Sequence, residues 1–220
     1  MRTRLLVTGF GPFPRISVNP SGQISRRVAA SPRWRLIGVE AQALVLPTAY
    51  SSIEGALAPA LREGEFNAVL MIGVAGRAKR IRVERRAANR ASLLSPDASG
   101  KRRTGLALGA APAHRIAAAS PARVVRRLRQ HGLPCAISQD AGLYLCNACY
   151  FSALAEPVPV LFVHIPKAPR NKPRPKAPRR MPRTNWHDRL ATAFVDVGID
   201  LLTKARRQPR SRADADSASV

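Results

Sequence analysis

Cys146, His164 and Glu84 are the residues of this chain whose side chains can do covalent chemistry together. Cys146 closes the stretch Asp140-Ala-Gly-Leu-Tyr-Leu-Cys146-Asn147, in which a glycine precedes a short apolar run, so the cysteine falls where a helix begins. A thiol at a helix N-terminus meets unpaired backbone N–H groups and the positive end of the macrodipole, both of which favour thiolate. Eighteen residues later the apolar run Val160-Leu-Phe-Val163 delivers His164 just before Ile165-Pro166. Upstream, Glu84 ends Gly73-Val-Ala-Gly-Arg-Ala-Lys-Arg-Ile-Arg-Val-Glu84. A cysteine, a histidine and a carboxylate at the ends of separate segments supply a nucleophile, a base and the group that orients the base. The set points to a hydrolase.

Each residue also has a purely structural reading. A lone cysteine in an apolar segment is usually a small buried hydrophobe. A histidine after a strand is often a turn or packing residue. Glu84, among arginines, can be a solvated ion-pair partner that adds little stability. Cys146 and Cys149 form a C-x-x-C, but the segment before them lacks the tryptophan and proline of a redox dithiol site. No second Cys or His pair stands at zinc spacing, so no metal is expected.

The elements that must position these groups alternate between strand and helix. Residues 4–10 read as a first strand ending in the turn Gly9-Phe-Gly-Pro-Phe13, and Asn19-Pro-Ser21 caps a helix running to about residue 30. Residues 34–47 are strand-like and 51–63 helical. Residues 68–72 form a continuous apolar run of the kind buried on both faces of a parallel sheet. A helix is expected over 121–131, a short strand over 135–138, a helix from Cys146, a buried strand over 158–165 and a final amphipathic helix from Trp186 to Leu201. Residues 95–119 read as one long loop. This alternation predicts an α/β fold, a three-layer α/β/α sandwich with a mostly parallel central sheet.

At 220 residues the chain is long enough for one sizeable core. We expect a single domain over 1–205, a basic Pro-rich insert at 167–183 and a disordered tail at 206–220. The net charge is +24. Residues 167–183 hold eight basic residues and five prolines without an acid, and residues 204–212 add five more basic residues. Such a balance attracts polyanions whatever the fold. The prolines of the insert lack donors and fix φ, which excludes helix or sheet there. Three clustered cysteines do not make a disulfide framework, and no apolar run reaches membrane-spanning length. With no signal-like segment before residue 4, the expected location is cytoplasmic and no membrane partner is expected.

In order along the chain, Val7-Thr-Gly-Phe-Gly-Pro-Phe13 with Asn19-Pro-Ser21, Leu46-Pro47, Glu84-Arg-Arg-Ala-Ala-Asn89, Pro96-Asp97, the segment from Ser138 to Asn147 and Phe162-Val-His164-Ile-Pro166 resemble the pyroglutamyl peptidase I, or pyrrolidone-carboxylate peptidase, family. The resemblance runs from Leu5 to about Leu202. It implies a cofactor-free cysteine peptidase that removes an N-terminal pyroglutamyl residue from peptides, with Cys146 as nucleophile, His164 as base and Glu84 as orienter. It also implies a lactam pocket walled by Phe10 and Phe13, with Tyr144 at a position commonly aromatic, and a homodimer or homotetramer. The chain departs from the pattern at Leu94, where the family usually has an arginine near the oxyanion, at Ser92, where it usually has an acid, and in the glycine loop before Arg77. Loss of one oxyanion donor costs about 10²–10³ in rate. A second reading therefore stays open: a divergent homologue with weakened catalysis that binds nucleic acid or acidic partners through the basic insert. That insert contains no aromatic residue on which bases could stack.

Overall fold

Among residues 2–13, 17–110, 112–167 and 185–207, which the computed structural model describes, eight strands and six helices build a three-layer α/β/α sandwich. The six-stranded sheet has the order β2-β1-β3-β8-β4-β7. Its centre is β1 (Thr3–Phe10), β3 (Ala68–Ala75) and β8 (Val160–Pro166), parallel to one another, with β2 (Val39–Leu46) parallel to β1 at one edge. β4 (Ile81–Glu84) runs antiparallel to β8, and β7 (Cys135–Ser138) parallel to β4 at the other edge. The expected fold class is thus the one observed.

The antiparallel step follows from loop length. Only residues 76–80 separate β3 from β4. A parallel crossover needs about a dozen residues or more, so this short loop can only hop over the end of β8 and send the chain back down. A three-residue hairpin, β5 (Arg86–Ala88) with β6 (His114–Ile116), stands apart from the main sheet.

Helices α1 (Pro20–Ala29), α4 (Pro121–Gln130) and α6 (Trp186–Arg207) cover one face, and α3 (Ala58–Glu63) and α5 (Leu145–Ala153) the other. Asn19 caps α1 as its sequence suggests: Oδ1 accepts the Ser21 N–H at 3.1 Å, and Pro20 takes the first helical position. β8 is buried along its whole length, which is why its sequence reads as one apolar run. α6 comes close to β1 through Gly198, where a Cβ would lie 2.8 Å from Leu5 Cδ2 and 2.9 Å from Trp34 Cη2.

Three expectations change. The strand expected over 34–47 begins only at Val39, because Arg33–Leu36 form a helical turn, α2, whose Trp34 is buried and donates its indole N–H to the Val28 carbonyl at 2.6 Å. Gly38, at φ +67°, makes the turn into β2. The helix expected over 51–63 contains a π-helical turn, Ile53–Leu57, ending two residues before Pro59. Proline has no N–H for the carbonyl one turn back and its ring crowds that carbonyl, so the helix widens there. The long loop expected over 95–119 contains β6. Of the basic segment 167–183 only Lys167 lies within the described residues. α6 runs to Arg207, and 208–220 lie outside the described residues.

Candidate active site

The topology brings Cys146, His164 and Glu84 together from α5, β8 and β4. In the β4–β8 ladder Arg82 pairs with His164 and Glu84 with Phe162, so Glu84 lies diagonal to His164 on the same face of the sheet. Its Oε1 is 2.8 Å from His164 Nδ1, and this contact is buried: Glu84 is fully inaccessible and His164 nearly so. All of the side-chain hydrogen bonding of Glu84 runs through Oε1, since Oε2 is buried without a partner among the described residues. Arg82 Nε approaches the same Oε1 at 3.3 Å. The Phe162 ring packs against the imidazole with centroids 4.7 Å apart, fixing its plane.

With Nδ1 held by Glu84, the remaining imidazole nitrogen is Nε2, and the ring hydrogen-bonds the Cys146 side chain. Burial opposes charging of His164, but the negative charge and hydrogen bond of Cys146 and the bond to Glu84 outweigh it and lift the imidazole to about 9.

Cys146 is the second residue of α5. The preceding residue but one, Tyr144, is extended and provides no side-chain cap, and the first helical bond runs from Ala148 N–H to the Tyr144 carbonyl at 3.1 Å. The N–H groups of Leu145, Cys146 and Asn147 therefore precede the helical ladder, in the position where a helix stabilises negative charge. Space for the sulfur comes from Gly73, the β3 residue paired with His164. A Cβ at Gly73 would sit 3.0 Å from Cys146 Sγ and 2.7 Å from Phe162 Cζ.

Two residues that sequence reasoning passed over hold α5 in register with the strands. Asn147 is buried and clamps the backbone after Glu84: its Oδ1 accepts Ala88 N–H at 2.9 Å, and its Nδ2 donates to the carbonyls of Ala88 and Arg90 at 2.8 and 2.9 Å. Tyr150 donates its hydroxyl to the Glu84 carbonyl at 3.0 Å. The asparagine directly after the cysteine was visible in the sequence, but nothing local indicated what it would clamp. Cys149, one turn beyond Cys146, is fully buried, and burial pushes its thiol up; Cys135 is buried and shifted the same way. All three thiols are free, so the C-x-x-C is not a disulfide.

The residues expected around the substrate occupy the same end of the sheet. Phe10, at the end of β1, is buried against Phe162, centroids 6.4 Å apart, and so stands one ring away from His164. Gly9 lets this strand end meet α1, since a Cβ there would be 2.5 Å from the Ser21 carbonyl oxygen. Phe13, half-buried, follows the Gly11-Pro12 turn, whose two carbonyls accept from Thr48 Oγ1 at 3.2 Å. Tyr144 donates its hydroxyl to the Pro96 carbonyl at 2.9 Å and meets Tyr50 edge-on at 6.0 Å; burial, with negative neighbours including Cys146, pushes it up to about 12. Asp97 is structural. Burial opposes its charge, but it accepts the Ser99 hydroxyl at 2.6 Å and the N–H groups of Tyr50, Lys101 and Ser99, which together hold its carboxyl below the usual value. Leu94 is 82 % exposed and places no cation at the site. Among the described residues no cluster of three or more His, Cys, Asp or Glu can hold a metal ion, and no helix is long and apolar enough to cross a membrane.

A family model described as pyroglutamyl peptidase matches residues 3–185. The chain is 33 % identical over 177 residues to a pyrrolidone-carboxylate peptidase of Gloeobacter violaceus, covering 78 % of this chain and 85 % of the relative. It is 30 % identical over 204 residues to that of Thermococcus kodakarensis, covering 88 % and 97 %. Among solved structures, pyroglutamyl peptidase I from Bacillus amyloliquefaciens superposes with a TM-score of 0.77 over 93 % of this chain and 97 % of that one, at 24 % identity, which is a likeness of fold.

Proposed function

Since the chain belongs to the pyroglutamyl peptidase family, we propose that it hydrolyses the bond after an N-terminal pyroglutamyl residue, with Cys146 as nucleophile, His164 as proton carrier and Glu84 as its orienter. The observation that carries the assignment of residues is the buried 2.8 Å contact from Glu84 to the one imidazole that also bonds the Cys146 side chain.

Cys146 Sγ attacks the pyroglutamyl carbonyl carbon, forming the C–S bond as the carbonyl π pair moves onto oxygen. The free N–H groups at the start of α5 face the developing oxyanion, and one such donor is worth about 10²–10³ in rate. As the tetrahedral intermediate collapses, the C–N bond breaks and His164 Nε2 gives its proton to the departing amine, leaving a thioester. Water then attacks the thioester carbon while Nε2 takes its proton. Loss of the sulfur as leaving group frees pyroglutamate and restores the enzyme. Glu84 fixes the tautomer by accepting from Nδ1 and stabilises the charged ring. No step needs a metal or an organic cofactor.

The pyroglutamyl ring is a neutral lactam, so its pocket needs apolar walls and backbone partners, not an ion pair. Phe10, Phe13 and Tyr144 are the proposed walls. Phe10 acts largely by backing Phe162, in keeping with its burial. Weak contact with polyanions through residues 167–183 rests on charge composition, and assembly as a dimer or tetramer on family resemblance. The alternative of a binding protein with weakened catalysis is not favoured. Release of the chromophore from a pyroglutamyl anilide by the purified chain, and its loss in Cys146→Ser, tests the proposal.

A further inference from the structure

A cavity of about 750 Å³ opens beside the catalytic residues, over the β4–β7 edge of the sheet. Its walls carry Arg77, Lys79, Arg80 and Arg82, with Ser138 and Ile137 on the strand side. No acid lines it. Among the described residues no ion pair or hydrogen bond engages the side chains of Arg77, Lys79 or Arg80, and all three are exposed. The nearby acids are engaged: Glu84 with His164, and Asp140 Oδ1 with the Gly142 N–H at 2.8 Å. Lys167 adds a further cation at the rim, since a Cβ on Gly76 would lie 3.8 Å from its Nζ. Arg82 joins the groove to the catalytic residues, contacting Glu84 Oε1 while donating to Ser138 Oγ at 2.7 Å and to the Asp140 carbonyl.

The order of strands gives this groove a direction. Phe10 ends β1, Gly73 on β3 lies under the thiol, His164 lies near the end of β8, before Ile165 and Pro166, and the groove lies over β4 and β7. The acyl ring is proposed to bind on the β1 side, and the leaving amine must face His164, which protonates it. The departing peptide therefore extends past His164 toward β4 and β7. Strands lie about 4.8 Å apart, so the groove begins within one to three extended residues of the scissile bond.

We infer that this basic groove is a leaving-group subsite, selecting pyroglutamyl peptides with carboxylate side chains one to three residues after the scissile bond. The inference rests on the pyroglutamyl peptidase reading and names the substrate class within it. Exposed ion pairs are each worth a factor of about five or less, so three or four unpaired cations give a preference on the order of tenfold, weakened by salt.

The test compares kcat/KM for pyroglutamyl-Ala-Glu-Glu-amide and pyroglutamyl-Ala-Gln-Gln-amide, the neutral peptide being each variant's own reference. The expected result is an acidic-over-neutral ratio of about ten at low salt, approaching one in 0.5 M NaCl. The ratio should also approach one in the triple variant Arg77→Gln, Lys79→Gln, Arg80→Gln, and persist in the charge-keeping variant Arg77→Lys, Lys79→Arg, Arg80→Lys. A ratio near one in the wild type, or one unchanged in the neutralised variant, overturns the subsite. So do equal ratios combined with strong inhibition by an RNA oligomer, which would make the groove a nucleic-acid surface. If the wild type cleaves neither peptide, it is the proposed function that fails. The groove is then decided by chemical-shift changes at Arg77, Lys79, Arg80 and Arg82 on adding the peptide Ala-Glu-Glu: changes centred there support it, and their absence rejects it.

Discussion

Glu84 and His164 meet diagonally across the junction of β4 and β8, the antiparallel pairing of an otherwise parallel sheet, with Glu84 Oε1 2.8 Å from His164 Nδ1. Because β4 runs down as β8 runs up, the carboxylate lands beside Phe162, one pleat deeper than the imidazole, and is sealed from solvent. The five-residue hop from β3 to β4 thus sets which ring nitrogen remains for the thiol.

This geometry predicts a charged imidazole over a wide pH range. Burial favours the neutral ring and the two negative neighbours favour the charged one; the neighbours win, and His164 holds its proton up to about pH 9. Above that the proton that the proposed mechanism gives to the leaving amine is lost, so kcat/KM should fall through pH 9. In Cys146→Ser the stronger negative neighbour is gone, and His164 should titrate at lower pH. NMR of the imidazole Cε1 proton in both proteins measures this; an unchanged titration in Cys146→Ser would show that the sulfur does not touch the ring electrostatically.

Glu84→Gln keeps the volume and removes the charge. It should fold, judged by circular dichroism, lower kcat by about 10²–10⁴, and move the His164 titration down, since the amide no longer favours the charged ring. Wild-type kcat in a folded Glu84→Gln protein would remove Glu84 from the mechanism.

Cys146 is half-buried, whereas Cys135 and Cys149 are buried. Brief treatment of the native protein with iodoacetamide should give one adduct, on Cys146, with loss of activity in step. Cys149→Ala should remain active. Mass spectrometry showing Cys149 modified first would contradict the assignment.

Gly73→Ala places a methyl 2.7 Å from Phe162 Cζ and 3.0 Å from Cys146 Sγ. Overpacking of this kind costs about 1–3 kcal/mol, and here it also displaces the Cys146 sulfur, the proposed nucleophile. A lower Tm together with a marked fall in kcat is expected. Gly198→Ala, crowding Leu5 and Trp34 on the opposite face, should lower Tm while sparing kcat. Equal kcat losses in both variants would mean that the Gly73 effect is stability alone.

Cys146 and His164 were legible because each ends a local signal: a glycine and apolar run before a helix, and a strand buried on both faces. The sheet class was legible from the same runs. β4 was not, because Ile-Arg-Val-Glu is four residues long and sits among arginines, and neither was the β5–β6 hairpin of three-residue strands. Trp34 looked like part of a strand because its apolar neighbours carry no period that separates strand from helix; its place is set by the bond from its indole to Val28. The roles of Gly73, Asn147 and Tyr150 depend on strand order, which arises from tertiary crossovers and leaves no trace in local pattern.

In the proposed mechanism a single thiol works through His164 on a pyroglutamyl bond. The most direct test of this mechanism is hydrolysis of a pyroglutamyl anilide by the wild type, Cys146→Ser and His164→Ala, with a prolyl anilide as the ring control. The wild type should release the chromophore and both variants, folded, should lose at least 10³-fold in kcat/KM. The prolyl compound, lacking the ring carbonyl, should be cleaved at least 10²-fold more slowly, because it leaves pocket partners unpaired. Full activity in folded Cys146→Ser, or equal cleavage of the two anilides, would contradict the account.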